Sequence, residues 1–491
     1  LKVEDTEAGR YVTALVRETG RPALDVLAEA LPGLIAAIKF GKSMRWNSTG
    51  ITFSRPIRWL LALLGDQVIP FEYAGLNSGN LTRGLRPYGS PRQEINSASD
   101  YADILQTQNI LLDPAARRAN IQAQTAALAA QVGGRIPDDP GLLDEVMHLV
   151  EAPTALLGRF EDKYLKLPRE VLVTTMRDKQ RYFAVEDGAG KLMPYFIAVR
   201  NGDDQHLDKV IDGNEHVLRA RFADADYFYA QDTQKRLEDF LPRLGTLTFQ
   251  EKLGSMLDKN QRVAELVPTI GDMLGISASD IDVACKAAAL AKADLATQMV
   301  VEMTSLQGTM GREYALMQGH DRAVADAICE HWLPRGAEDS LPAGTPGTLL
   351  ALVDRLDSLV GLFAAGLAPQ ATADPFGLRR AALGVIQILV AKQIDVDLAP
   401  VIEQVAAAQP IPVTPEGRAQ VLDFIAGRLR AWVEEGDWAH DVGAAVLAAQ
   451  SANPYRAVEG IGQLAEWVAK PGWEAILDGF ARCVRITRGE S

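Results

Sequence analysis

The spacing of apolar residues changes character near Phe249, and that change constrains the fold more than any other feature of the chain. Before it, helical spacing over residues 22–40 gives way to short β-prone runs at 57–64 and 68–73, separated by Gly65-Asp66. Beyond it, residues 253–274, 281–301, 323–332, 349–367 and 376–392 all repeat apolar side chains at helical spacing. The pattern predicts an α+β architecture. It comprises an α/β region over 1–250, an all-helical domain over 251–409, and a further helical region over 410–491 behind a linker marked by Pro410, Pro412 and Pro415. At 491 residues the chain exceeds one ordinary core, which agrees with several domains.

Local signals sharpen this outline. Asp113-Pro114 is a helix start, a capping acceptor followed by a residue with no N–H to leave unpaired, and the alanine-rich run behind it predicts an exposed helix ending at Gly133-Gly134. Strands are expected at 171–176, 181–185 and 195–199, the last two forming a hairpin around the turn 186–190. A long helix is expected over 207–244, with Arg219, Arg221, Asp224 and Asp226 pairing on its surface as it bridges two domains. Helices at 417–434, 440–449 and 473–486 complete the reading.

The search for chemistry is informative mainly in what it excludes. There is no G-x-x-x-x-G-K-[ST] loop, no G-x-G-x-x-G after a strand, no H-E-x-x-H and no G-x-S-x-G. Cys285, Cys329 and Cys483 show no C-x-x-C spacing, which fits a reducing cytoplasm and no disulfide scaffold. The most apolar late stretch is interrupted by Asp354, Arg355 and Asp357, so no membrane crossing is expected.

The net charge of −14 hides a local contrast. Between Lys39 and Arg92 stand Lys39, Lys42, Arg45, Arg55, Arg58, Arg83, Arg86 and Arg92 against only Asp66 and Glu72, eight cations to two anions. Arginine forks match phosphate oxygens, and Trp46, Phe53, Trp59 and Tyr88 offer stacking faces for unpaired bases. Composition alone serves a solvated basic face with core aromatics equally well. A second cluster, Arg177, Lys179 and Arg181 beside Tyr182, falls on the expected hairpin and would line a ribbon facing a phosphate backbone.

In the helical half, Asp294, His331, Asp354 and Asp357 are ligand-type residues on successive helices, as in HD-class metal phosphohydrolases. That class needs an adjacent His-Asp pair, and Ala293 stands where the histidine should be. The pairs that do exist, His320-Asp321 and His440-Asp441, fall at expected helix starts, where aspartate is common as a cap. A metal-dependent nucleotide phosphohydrolase is therefore the sharpest rival to RNA binding, and a degenerate site with no metal the plainer expectation.

Several runs resemble the β subunit of the bacterial two-subunit glycyl-tRNA synthetase. They include Met44-Arg45-Trp46, Arg55-Pro56-Ile57-Arg58-Trp59, Thr82-Arg83-Gly84 and Leu167-Pro168-Arg169-Glu170-Val171-Leu172. Further on come Phe249-Gln250-Glu251-Lys252-Leu253-Gly254, Leu306-Gln307-Gly308-Thr309-Met310-Gly311 and Asp374-Pro375-Phe376-Gly377-Leu378-Arg379-Arg380. The likeness weakens after about Gln409.

The resemblance implies a cytoplasmic α2β2 glycine–tRNA ligase. Its α subunit would carry the active site and use ATP and Mg, while β binds and positions tRNA(Gly) with no cofactor, no catalytic residue and no membrane or DNA partner of its own. It also implies an N-terminal part similar to a B3/B4 domain and an HD-like helical domain. The expected tRNA contacts are Arg45, Arg55, Arg58, Arg83, Arg86, Arg177, Lys179 and Arg181. Where the family usually has His-Arg-Phe after Thr82-Arg83-Gly84, this chain has Leu85-Arg86-Pro87, which removes that histidine and keeps the arginine. Leu1 in place of a methionine and the stop at Ser491 suggest a fragment lacking both family termini, the C-terminal one being the anticodon-binding helical domain. A scaffold that binds α and leaves tRNA to other surfaces is the remaining alternative.

Overall fold

The computed structural model describes residues 2–6, 9–14, 20–370 and 373–488, so Leu1 and Ser491, on which the fragment reading rests, lie outside the described residues. The fold is mixed α+β, with many helices and small sheets. The chain divides into two compact units, Leu1–Leu165 with Thr175–Arg219 and Lys166–Thr174 with Ala220–Ser491.

The first unit is built on a three-stranded antiparallel sheet, with Leu192–Asn201 between Pro153–Arg159 and Phe183–Glu186. The expected hairpin is present, and its turn is fixed by Asp187, whose Oδ1 accepts from the N–H groups of Ala189 and Lys191, both at 2.9 Å. Gly158 faces Phe196 across the sheet, and a Cβ there would lie 2.2 Å from the ring's Cζ, so the aromatic ring occupies the space a side chain would need.

Helix Pro114–Gln131 starts as the sequence requires, with the Asp113 carboxylate accepting from Ala115 and Ala116 N–H at 3.0 and 3.3 Å. It is not exposed on all sides, as its alanine content led us to expect. Ile121, Thr125 and Ala129, four residues apart, form a buried stripe, of which Ile121 and Ala129 pack with Leu142, Val146, Val185 and Ile197. Each large aliphatic side chain buried there contributes roughly 1.5–3 kcal/mol.

The stretch at 171–176 is helix, not strand: Arg169–Thr174 is α-helical and Thr175–Gln180 continues as a wider π-type turn. Val171, Leu172, Thr175 and Met176 are the buried positions, a spacing that belongs to one helical face. The β-branched residues masked that period. Helix Leu207–Asp232 is shorter than expected and is followed by a 3-10 segment, Leu237–Thr246. Its charges do not pair with one another as expected: Arg219 reaches Glu161 at 2.8 Å and Asp226 accepts Lys166 at 2.9 Å.

After a small hairpin, Thr248–Gln250 with Gly254–Ser255, the second unit is helical. Helix Thr345–Ala364 is its axis, with Leu349–Val353, Leu356, Leu359 and Val360 buried around its circumference. Helices Met256–Met273, Ala278–Leu290, Arg322–Glu330 and Leu378–Ala391 pack on it or on each other. Pro410 and Pro412 lie in a loop and Pro415 at a helix start within this unit, because helix Pro415–Glu434 packs on Thr345–Ala364 and Leu378–Ala391 through Val421, Ile425 and Leu429. Helices Leu398–Ala407 and Pro454–Val468 went unread in the sequence, the first containing Pro400 and the second Gly460 and Gly462. Among the described residues no helix is long and apolar enough to cross a membrane.

Candidate nucleic-acid interface

The basic stretch of the first unit folds into short paired segments that hold their backbone together and leave the long side chains outside. Leu63–Leu64 and Gln67–Val68 form a hairpin around Gly65-Asp66, Leu60–Leu61 runs parallel to Leu76–Gly79, and Leu81–Arg83 pairs with Arg92–Glu94. The last pair is closed by the 3-10 turn Arg86–Tyr88.

Arg45, Arg55, Arg58 and Arg86 are exposed. Among the described residues, none of the eight cations between Lys39 and Arg92 takes part in an ion pair. Arg83 is half-buried, donates to the Ser90 carbonyl at 3.4 Å and stands 5.7 Å over the ring of Trp59, itself 39% exposed. A guanidinium held on an exposed indole keeps its outward edge for a second partner.

The other three predicted contacts sit elsewhere and differently. Arg177 and Lys179 lie in the π-type turn Thr175–Gln180, and Arg181 follows it with a left-handed φ of 58°, so all three precede the hairpin rather than lining it. Arg177 donates from Nε to Asp139 at 2.6 Å, which holds its guanidinium above its ordinary pKa. Arg181 donates to Glu145 at 2.7 Å. Two of the three charges are therefore committed within the protein. Lys179 is exposed and has no ion pair among the described residues.

In the second unit the ligand-type residues converge, but lysines that sequence reading missed fill the space between them. Lys292, 2% exposed, approaches Asp354 Oδ1 at 3.0 Å and His331 Nε2 at 3.3 Å, and lies 4.3 Å from the Trp332 ring centre. The His331 Nδ1 donates to the Ile328 carbonyl at 2.6 Å, leaving Nε2 to accept from the ammonium. Lys259 bridges Asp354 at 3.2 Å and Asp357 at 2.8 Å, while Asp357 also accepts from Arg262 at 2.6 Å and from Gln409 at 2.9 Å. Asp294 stands apart, its Oδ2 accepting from the N–H groups of Gly308 and Gly311 at 2.6 and 3.1 Å.

These environments set the charges. Burial opposes ionisation of Asp354, but Lys259 and Lys292 outweigh it and hold the carboxyl far below its usual range. Burial, helped by Lys292, pushes the His331 imidazole well below its ordinary value and keeps it neutral. Burial pushes the Asp294 carboxyl up to about 6. Two ammonium groups thus occupy the place a divalent cation would need, and among the described residues no group of three or more His, Cys, Asp or Glu could hold a metal. The donor set does not fit a metal centre. One signal for Lys292 was present in the sequence, a lone cation inside the apolar run Leu290-Ala291-Lys292-Ala293.

Comparison with known proteins agrees with the sequence resemblance. The sequence model of the family described as "Glycyl-tRNA synthetase beta subunit" matches residues 1–448. The glycine–tRNA ligase β subunits of Moorella thermoacetica and Desulforudis audaxviator are each 42% identical, over 99% and 97% of this chain and 71% and 70% of their own lengths. The chloroplastic/mitochondrial glycine–tRNA ligase 2 of Arabidopsis thaliana is 43% identical over 98% of this chain. The chain spans 45% of that plant protein's length. By the family match and these identities, the chain belongs to the glycyl-tRNA synthetase β-subunit family.

Proposed function

We propose that this chain is the tRNA-gripping part of a glycine–tRNA ligase, orienting tRNA(Gly) on the basic stretch 39–92 of its first unit while an α subunit joins glycine to the RNA with ATP and Mg. The observation that carries the reading is a contrast. In an acidic chain the exposed Arg45, Arg55, Arg58 and Arg86 are left without ion pairs among the described residues, whereas Arg177 and Arg181 are each matched to a carboxylate. Unmatched surface cations are costly to cluster unless a polyanion neutralises them, and their contacts to phosphate fix orientation without reading sequence.

Positioning of this kind lowers the entropic part of a barrier and asks no acid, base or nucleophile of the chain. The same reading treats the first unit as B3/B4-like and the second as HD-like with lysines in place of a metal, within a cytoplasmic α2β2 assembly. It is supported by the sheet-and-helix build of the one and the helical build of the other. The test is aminoacylation of tRNA(Gly) with glycine and ATP in excess. The chain alone is expected to form no glycyl-tRNA, and charging by the chain alone would overturn the reading.

A further inference from the structure

We propose that a cleft in the first unit, of about 570 Å³, receives an unpaired nucleobase bearing an exocyclic amine, that is cytosine, adenine or guanine and not uracil. The inference rests on the RNA-binding reading of the arginine surface next to it.

The floor of the cleft is apolar: Leu85, Ile110 and Ala152 are buried and pack as one cluster. Tyr88 stands at its lip, two residues from Arg86, and its hydroxyl accepts from the Asp203 N–H at 2.8 Å, which fixes the ring. The opposite wall turns at Gly202, whose φ of +142° favours glycine. A Cβ there would meet the Arg200 side chain at 3.3 Å and Pro87 at 3.6 Å, so the Arg86–Tyr88 turn can lie against it.

The polar groups facing the cleft fall into two kinds. Gln124 is fully engaged, donating to the Pro153 carbonyl at 3.0 Å and accepting from the Ala155 N–H at 2.8 Å. The side chains of Gln106, Asn109 and Asp204 line the same cleft and have no hydrogen-bond partner among the described residues.

An apolar floor with an aromatic lip suits a planar ring, since any base can offer its face to stack. The unengaged Asp204 carboxylate adds selectivity. It accepts from the exocyclic amine of cytosine, adenine or guanine, whereas uracil offers it only the ring N3–H, flanked by two carbonyl oxygens that the carboxylate repels. The amides of Gln106 and Asn109 can each serve as donor or acceptor to the neighbouring ring nitrogen or carbonyl. Carboxylates in the cleft also repel phosphate, which leaves the backbone to Arg86 and its neighbours outside.

The test is fluorescence anisotropy of the full chain with oligocytidylate, oligoadenylate and oligouridylate of equal length, beside tRNA, at low salt. Cytosine and uracil are both pyrimidines, so that pair isolates the edge contact from ring size. The wild-type chain is expected to hold oligocytidylate roughly tenfold more tightly than oligouridylate. Gln106→Ala with Asp204→Ala is expected to erase the difference while tRNA binding keeps its salt dependence. Equal binding of the two pyrimidine oligomers, or a preference that survives in the double variant, would overturn the cleft inference while tRNA binding stood. Failure of every RNA, tRNA included, to bind would overturn the arginine surface as well.

Discussion

The ammonium of Lys292 sits 3.3 Å from Nε2 of His331, so a cation and a metal-type ligand meet in direct contact inside the second unit. Both side chains are nearly inaccessible, at 2% and 0% exposure, and the Asp354 carboxylate completes the contact at 3.0 Å. A buried pair of this kind adds little compared with apolar packing, but removing one partner leaves the other desolvated and unmatched. Lys292→Met is therefore expected to lower stability by about 3 kcal/mol, softened because Lys259 still reaches Asp354. Urea unfolding measures this, and a loss under about 1 kcal/mol would mean the ammonium is not needed there. Because lysines satisfy the cluster, a chelator should leave the thermal midpoint of the wild-type chain unmoved.

Asp294 gives the same region a pH dependence of opposite sign to its neighbours. Its folded pKa is raised to about 6, so the native state holds a proton that the unfolded chain has released, and its contribution to stability falls as pH rises from about 4 to 6. Asp354 and His331 have depressed folded values. Stability from Asp354 is lost as pH falls below the ordinary carboxyl range, and stability from His331 is lost below its ordinary value near 6.5. Asp294→Asn, which cannot ionise, should gain on the wild type by up to about 3 kcal/mol between pH 4 and 6. Chemical unfolding of both proteins across that window checks it. A stability difference that does not change with pH would place the carboxyl in an ordinary environment.

Arg177 separates charge from function. Its Nε is 2.6 Å from Asp139, a residue whose Oδ1 also accepts the Leu142 N–H at 2.9 Å and so caps helix Pro140–Leu149. The pair is partly exposed, which limits its worth to under about 1 kcal/mol. Arg177→Ala should change tRNA affinity less than twofold, and filter binding beside Arg58→Ala decides the point. An equal loss in both variants would make the paired arginine part of the RNA surface.

How much was legible follows the range of each interaction. Asp113-Pro114 and the turn at Asp187 act over two to four residues, and both were read correctly because the acceptor and its N–H partners lie side by side in the chain. The helical period after Phe249 was equally plain. Val171 and Leu172 misled because side-chain preference and burial period disagreed, and tertiary burial won. Apart from Asp178, which adjoins Arg177 in the chain, the acidic partners of Arg177, Arg181 and Lys292 lie 36 to 62 residues away in sequence, and no local pattern marks them. Lys292 carried one local signal, its place as a lone cation in an apolar run, but nothing near it in the chain marked which acids it would meet.

The most direct measurement is the salt dependence of tRNA binding by the wild-type chain and by a variant carrying Arg45→Ala, Arg55→Ala, Arg58→Ala and Arg86→Ala. Each phosphate neutralised contributes about 0.9 to the slope of log affinity against log salt on a duplex. The four substitutions are expected to flatten that slope by roughly 3 to 4 and to weaken binding at low salt, with far-ultraviolet circular dichroism unchanged. A slope and affinity equal to the wild type's would contradict the assignment of this surface to RNA.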